Sequence, residues 1–404
     1  MERSKSVDLL RALALFLLCF GRHLTPCPRG SGLYLLPDIT MVLARGGWIG
    51  VDLFFVLSGF LVSGLLFREH QKFGFISGKQ FLIRRGLKIY PSFWVLIIAT
   101  VAVTLLLQHH FPVKATLSEL AFVQNYGPSL WSHTWSLAIE EHFYLFLLVF
   151  LLCLSRRARS LHPFRIIPFS FLALAILSLV MRLVTAHGHS YHHKAHLFPS
   201  HLRMDSLFFG VFISYFYHYH SEQFLLFAKR FRWPLTACGV LALLPAFIFT
   251  LEVSPFIYTF GLTLLYLGSG ALLIAGIATT LPDNRGARFV AYIGSHSYSI
   301  YLWHLAVALW AIPLFARAAG EHWNWPLYAV TYVTGSLAVG ITMALLIEFP
   351  TLRIRDRCFP SRARPLSIST IGPNQAMPLT ATAPQVERLK CKGESNGTED
   401  ARSR

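Results

Sequence analysis

Seven side chains able to move or steady protons lie within or at the ends of apolar stretches of this chain: His23, Asp52, Glu140, Glu141, Arg203, Asp205 and His304. Histidine beside carboxylates is the pairing that general-base chemistry uses. A second set, Arg11, Arg84, Arg85 and Lys88, is wholly cationic and has the charge to meet a phosphorylated ligand. Ionisable groups in such surroundings are costly and usually face a bundle interior or a cavity. The adjacent pair in "WSLAIEEHFYLFLLVFLL" raises the sharpest question. Neighbouring residues point about 100° apart around a helix, so Glu140 and Glu141 take different roles. Plainer readings stand beside these. Asp8 and Arg11 share a helix face and can pair, Arg22 can reach toward the interface, and a basic helix end can be a simple anchor. The tract "TAHGHSYHHKAHLFPSH" holds His187, His189, His192, His193, His196 and His201 without a nearby acid or cysteine. It reads as a solvated loop, and no catalytic metal is assigned.

The elements carrying these residues follow from composition. The chain has 404 residues, 54% hydrophobic and only 14% charged, against about a quarter charged in soluble domains. Its apolar residues gather into blocks of about twenty, the length of a bilayer-crossing helix. Lipid offers no partner to a bare N–H or C=O, so each block must be helical. The expected fold is an all-α polytopic bundle of ten spans, near 7–25, 48–67, 88–107, 135–154, 164–184, 202–220, 233–251, 256–279, 289–310 and 326–348. Pro91 should bend the third span or reset its start, and the short 252–255 connection predicts a tight antiparallel hairpin. One set of connections holds six Lys/Arg in 68–88 and ten after residue 350, while the alternate set holds Arg29, Arg45, Lys114, Lys194 and Arg317. Positive residues stay cytoplasmic, so both termini are expected inside. The formal charge of +17 then reflects topology and contact with anionic lipids; nucleic-acid binding lacks a basic stripe with aromatic platforms. No metal-type C-x-x-C spacing occurs among the six cysteines. Residues 1–358 read as one transmembrane domain of the plasma (inner) membrane, and 359–404 as a disordered cytoplasmic tail rich in Ser, Pro, Thr, Gly and charge. On this topology the His/Asp/Glu set lies in the outer half and the basic set at the inner ends.

Seven segments together resemble the acyltransferase-3 family of integral-membrane acyltransferases: "VDLLRALALFLLCFGRH", "GVDLFFVLSGFLVSGLLF", "FLIRRGLKIYPSFW", "WSLAIEEHFYLFLL", "RMDSLFFG", "YIGSHSYSIYLWH" and "EFPTLRIR". They occur in family order across roughly residues 5–355. The resemblance implies a ten-helix core, acyl-CoA (acetyl-CoA above all) as donor, and O-acylation of a hydroxyl on a carbohydrate or lipid-linked glycan. It gives weight to Arg11, a first-span histidine, Arg84, Arg85, Glu140, Glu141, the Arg203/Asp205 pair and His304. The chain departs from the pattern once. Family members place ten residues between the first-span arginine and histidine, whereas eleven separate Arg11 from His23 and Arg22 takes the usual histidine position. A one-residue bulge or wider turn would restore His23.

The mechanism expected on this resemblance has Arg84, Arg85, Lys88 and Arg11 meeting donor phosphates from the cytoplasm. His23, supported by Glu140 or Glu141, removes the acceptor proton, while His304, Arg203 or a helix terminus steadies the oxyanion. No "GxSxG" serine elbow is present. The alternative class is a transporter or flippase for a glycan or small solute, which would move its cargo without forming an ester. Oligomeric state is not legible in the sequence.

Overall fold

A computed structural model describes residues 5–109, 111–157, 163–279 and 283–362. Most of the expected tail, from residue 363 onward, and the first four residues lie outside the described residues. The described chain is helical, with no strand among its residues.

α1 (Lys5–Leu15) runs directly into a π-helical turn, Phe16–Arg22. A short helix, Leu36–Gly46, leads to α2 (Gly50–Phe73), and α3 (Gly78–Gln108) follows. α3 passes through Pro91 without a break, so its start lies at Gly78, well before the proline rather than at it. Next come α4 (Trp135–Arg157), α5 (Ile167–Gly188) and α6 (Met204–Tyr219). α7 (Ser221–Arg230) and α8 (Arg232–Leu243) precede α9 (Leu262–Ala278). α10 (Arg285–Ser295), α11 (Ser297–Ala306), α12 (Trp325–Met343) and α13 (Phe349–Cys358) complete the described chain.

Seven helical stretches are long and apolar enough to cross a membrane, or eight if the pair bent by 75° at Ser221–Arg230 and Arg232–Ile248 forms one span. The expected blocks near 7–25, 202–220 and 233–251 do not pass that test individually. α6 shows why: its 16 residues cover about 24 Å, less than the ~30 Å hydrocarbon layer. Nearly every residue from Asp205 to Tyr215 is buried among neighbouring helices, which makes α6 a central strut. The hairpin expected from the short 252–255 connection is present as α8 packed along α9. These features make the chain a multi-pass helical membrane protein.

α2 and α6 pack parallel and very closely. A Cβ on Gly59 would overlap the Leu207 carbonyl, and one on Gly210 would overlap that of Val56. Small residues thus permit the backbone approach that holds helices together in lipid. Gly47 does the same for the π turn, since a Cβ there would strike the Leu17 carbonyl.

Candidate functional site

The π turn answers the spacing anomaly of the first span. Its i→i+5 bonding accommodates one residue more than an α-turn, absorbing the extra residue between Arg11 and His23. His23 emerges from the end of the turn with its Nδ1 2.9 Å from Nε2 of His304 on α11. His304 is fully buried, and its Nδ1 contacts the Tyr301 carbonyl. A carbonyl can only accept, so His304 Nδ1 carries the proton and Nε2 is the acceptor. His23 therefore donates from Nδ1, and its Nε2 lone pair is left as the basic atom.

A third imidazole completes the group. His133, on the loop before α4, sets its ring edge-on to His304 with centroids 5.1 Å apart. Its Nε2 donates to the Leu302 carbonyl at 3.2 Å, leaving Nδ1 buried and without a partner among the described residues. Burial, reinforced by His23, lowers this imidazole to about 3, so it is neutral. The loop is held by Glu119, whose Oε1 accepts from Leu130 N (3.1 Å), Trp131 N (3.3 Å) and Thr134 Oγ1 (2.8 Å). Burial raises the Glu119 carboxyl to about 7, and Oε2 has no partner among the described residues. A protonated acid suits that environment.

α4 carries the polar connection toward the basic end. Ser136, Glu140 and Tyr144 recur every fourth residue and so share one face. Ser136 Oγ lies 2.7 Å from Tyr301 OH, which also donates to the His133 carbonyl. Tyr144 OH donates to Glu140 at 2.7 Å and lies 2.7 Å from Ser58 Oγ, and the Arg85 guanidinium sits 5.3 Å from the Tyr144 ring centroid. Lys88, Arg85 and Arg11 are the cations that act on Glu140. Glu140 thus belongs to the polar column between the basic and histidine ends. Glu141 turns away to accept from Tyr90 OH at 2.9 Å. The side-chain partner of His23 is His304 rather than either glutamate.

The basic end is built from α3 and α13. Arg84 reaches Asp356 at 3.0 Å and the Phe359 carbonyl, beside an open groove of about 530 Å³ lined by Lys72, Lys79, Arg362 and Cys358 among others. Arg11 pairs with Asp8 at 3.4 Å, as their spacing predicts.

Arg203 and Asp205 are fully buried, each within an ion pair. Arg203 bonds Asp52 at 2.8 Å, and Asp205 is bonded by Arg182 of α5. Arg182 also donates to the Thr259 carbonyl (3.2 Å) and Thr263 Oγ1 (3.1 Å). The four charges tie α2, α5, α6 and α9 together. Sequence reasoning overlooked Arg182, although a lone arginine in "LSLVMRLVT" was a usable signal. It also overlooked His133 and Tyr301, the first because it sits outside an apolar block. Among the described residues, no group of three His, Cys, Asp or Glu side chains is arranged to hold a metal ion.

A family model described as an acyltransferase domain matches residues 4–345. The peptidoglycan O-acetyltransferase OatA of Listeria monocytogenes is 26% identical over 330 residues, covering 76% of this chain and 51% of that protein. A provisionally named peptidoglycan O-acetyltransferase of Bacillus subtilis is 26% identical over 355 residues, covering 81% of this chain and 54% of its own. A provisionally named O-acetyltransferase of Staphylococcus aureus is 28% identical over 288 residues, 65% of this chain and 46% of that protein. The chain spans about half the length of these curated relatives. No solved structure matches it.

Proposed function

Because the chain belongs to the acyltransferase-3 family, we propose that it is a membrane O-acyltransferase moving an acetyl group from acetyl-CoA to a hydroxyl of a cell-surface glycan. The observation that carries this reading is the His23–His304 contact, with a tautomer order that leaves His23 Nε2 as a base. The peptidoglycan named for the Listeria and Bacillus relatives makes an N-acetylated glycan strand the first acceptor to test.

In this reading the basic end faces the cytoplasm of an inner-membrane protein with both termini inside. Ten crossings result if α1 with its π turn, α6 and the bent α7–α8 pair complete the seven long spans. Arg84, Arg85, Lys88 and Arg11 attract the donor phosphates. The thioester arm follows the Ser136–Glu140–Tyr144 face toward the histidines. His23 Nε2 takes the acceptor hydroxyl proton as the oxygen attacks the thioester carbonyl carbon. The carbon–sulfur bond breaks, an ester forms, and the proton returns to the departing thiolate. His304 stabilises the His23 imidazolium by accepting from Nδ1 at 2.9 Å. Arg203 and Asp205 serve this scheme by fixing the helices around the site, since both are engaged in buried pairs.

The test follows radiolabelled acetyl-CoA with the protein in lipid nanodiscs and N-acetylglucosamine oligomers as acceptor. Wild type is expected to form an alkali-labile ester, and His23→Ala to lose at least 100-fold of that rate. An undiminished His23→Ala variant removes the base assignment. Movement of glycan across a vesicle membrane without ester formation replaces the whole reading with transport.

A further inference from the structure

The histidine-rich tract that read as a solvated loop is partly folded. His193–His196 form a short helix packed against Tyr191 and Tyr258. The Tyr191 ring centroid lies 4.9 Å from that of Tyr258 and 5.2 Å from that of His193. His196 is 1% exposed, and its Nδ1 lies 3.2 Å from the His192 N–H and 3.3 Å from the His192 carbonyl. Its Nε2 is buried and has no partner among the described residues. The Tyr191 hydroxyl is likewise buried without a partner among the described residues. Two unsatisfied groups in one aromatic cluster are costly unless a ligand completes them.

This cluster adjoins the base. Arg22, the residue before His23, reaches Glu252 at 3.8 Å, and His193 approaches the same carboxylate oxygen at 3.7 Å. Both separations exceed a hydrogen bond, so Glu252, which is exposed, retains lone pairs for an incoming donor. The charge of Arg22 acts on His23, Tyr191 and His193 together. Aromatic faces suit the C–H face of a sugar ring, and a carboxylate beside an arginine and a hydroxyl suits its alternating O–H groups. An interfacial aromatic belt would need single rings directed at headgroups. Here the rings pack on one another around unsatisfied polar atoms.

We propose that Arg22, Tyr191, His193, His196, Glu252 and Tyr258 form the acceptor subsite, which holds a pyranose of the glycan beside the hydroxyl that His23 deprotonates. This rests on the O-acyltransferase reading and adds the place and chemistry of acceptor recognition.

The experiment uses the full chain in nanodiscs and the tetramer of N-acetylglucosamine. Acetyl transfer gives the KM for each substrate, and calorimetry gives tetramer binding to the His23→Ala form. Tyr191→Ala and Glu252→Gln are each expected to raise the acceptor KM about tenfold or more and weaken binding equally, while the donor KM holds. Tyr191→Phe, which keeps the ring, should fall between; thermal unfolding verifies that the variants fold. Wild-type acceptor KM and binding in both variants overturn the subsite, as does tetramer binding to neither parent form. A response of Glu252→Gln to the anionic-lipid content of the nanodisc instead of the sugar also overturns it, assigning the patch to headgroups. If the tetramer binds through the patch but no acetyl is transferred, the acyltransferase reading falls and the subsite stands. Transfer with unaltered acceptor KM has the opposite meaning.

Discussion

The π turn at Phe16–Arg22 makes a prediction that runs against ordinary expectation for a buried helix: deleting a residue from it should preserve activity. In a regular α-helix one additional residue rotates everything beyond it by about 100° and advances it by about 1.5 Å. His23 would then take the position of a neighbouring Cα, about 3.8 Å away. That displacement exceeds the whole 2.9 Å contact with His304. The wide turn stores the surplus residue and returns His23 to register. Deleting Phe16, which is half exposed at the edge of the turn, should let α1 continue as a regular helix with His23 still beside His304. Acetyl transfer in nanodiscs should stay within about tenfold of wild type. Inserting one alanine after Leu15 gives the turn a second surplus residue that it cannot hold. Transfer should then fall 10²–10⁴-fold, the usual worth of a positioned base, or about 3–5 kcal/mol of barrier. Both proteins should elute as folded species. A folded Phe16 deletion as inactive as His23→Ala would refute the argument that the π turn sets the catalytic register.

Three further outcomes are expected. Glu140→Gln should reduce transfer at least tenfold, because Glu140 sits among the cations of the donor path, whereas Glu141→Gln should cost about 1 kcal/mol of stability through its Tyr90 bond; equal effects in paired activity and unfolding assays would return both to a structural role. Burial raises Glu119 from 4.5 to about 7, so the folded state binds the extra proton: its stabilising contribution is complete below pH 4.5 and disappears as pH rises through 7. The change is about 3 kcal/mol, and unfolding followed against pH should show Glu119→Gln losing that slope. Asp52→Ala should destabilise the bundle by about 3–5 kcal/mol by stranding the buried Arg203 charge, seen as a lower unfolding midpoint even where no substrate is present.

The helical class and most span positions were legible because lipid imposes a length and a polarity that no soluble core requires. The lone charges within those spans were legible for the same reason. Their partners were less so. Depth along a helix placed Glu140 in a layer with His23, but depth does not give azimuth, and the i, i+4 series Ser136–Glu140–Tyr144 carries Glu140 toward Lys88 and Arg85. The need for a wider turn before His23 was readable from one surplus residue, since the resemblance supplied the expected spacing. His133 was hidden by its loop, whose course depends on Glu119 and so on contacts made after folding. That the short α6 is enclosed by other helices was not legible, because buried and lipid-facing helices are equally apolar. Only packing against α2 through Gly59 and Gly210 separates the two.

The groove beside Arg84 also contains an optical handle. Cys358 is exposed at its rim, and the chain folds back there through the Arg84–Phe359 and Gln80–Pro360 contacts. The exposed thiols of Cys153 and Cys238 lie in apolar helices, where a charged reagent in water has little access. With Cys391 replaced by serine, a water-soluble maleimide dye would mark Cys358 and stand next to the guanidinium assigned to the donor phosphates. The arrival and departure of donor could then be timed by fluorescence, separately from the chemistry at the far end of the bundle.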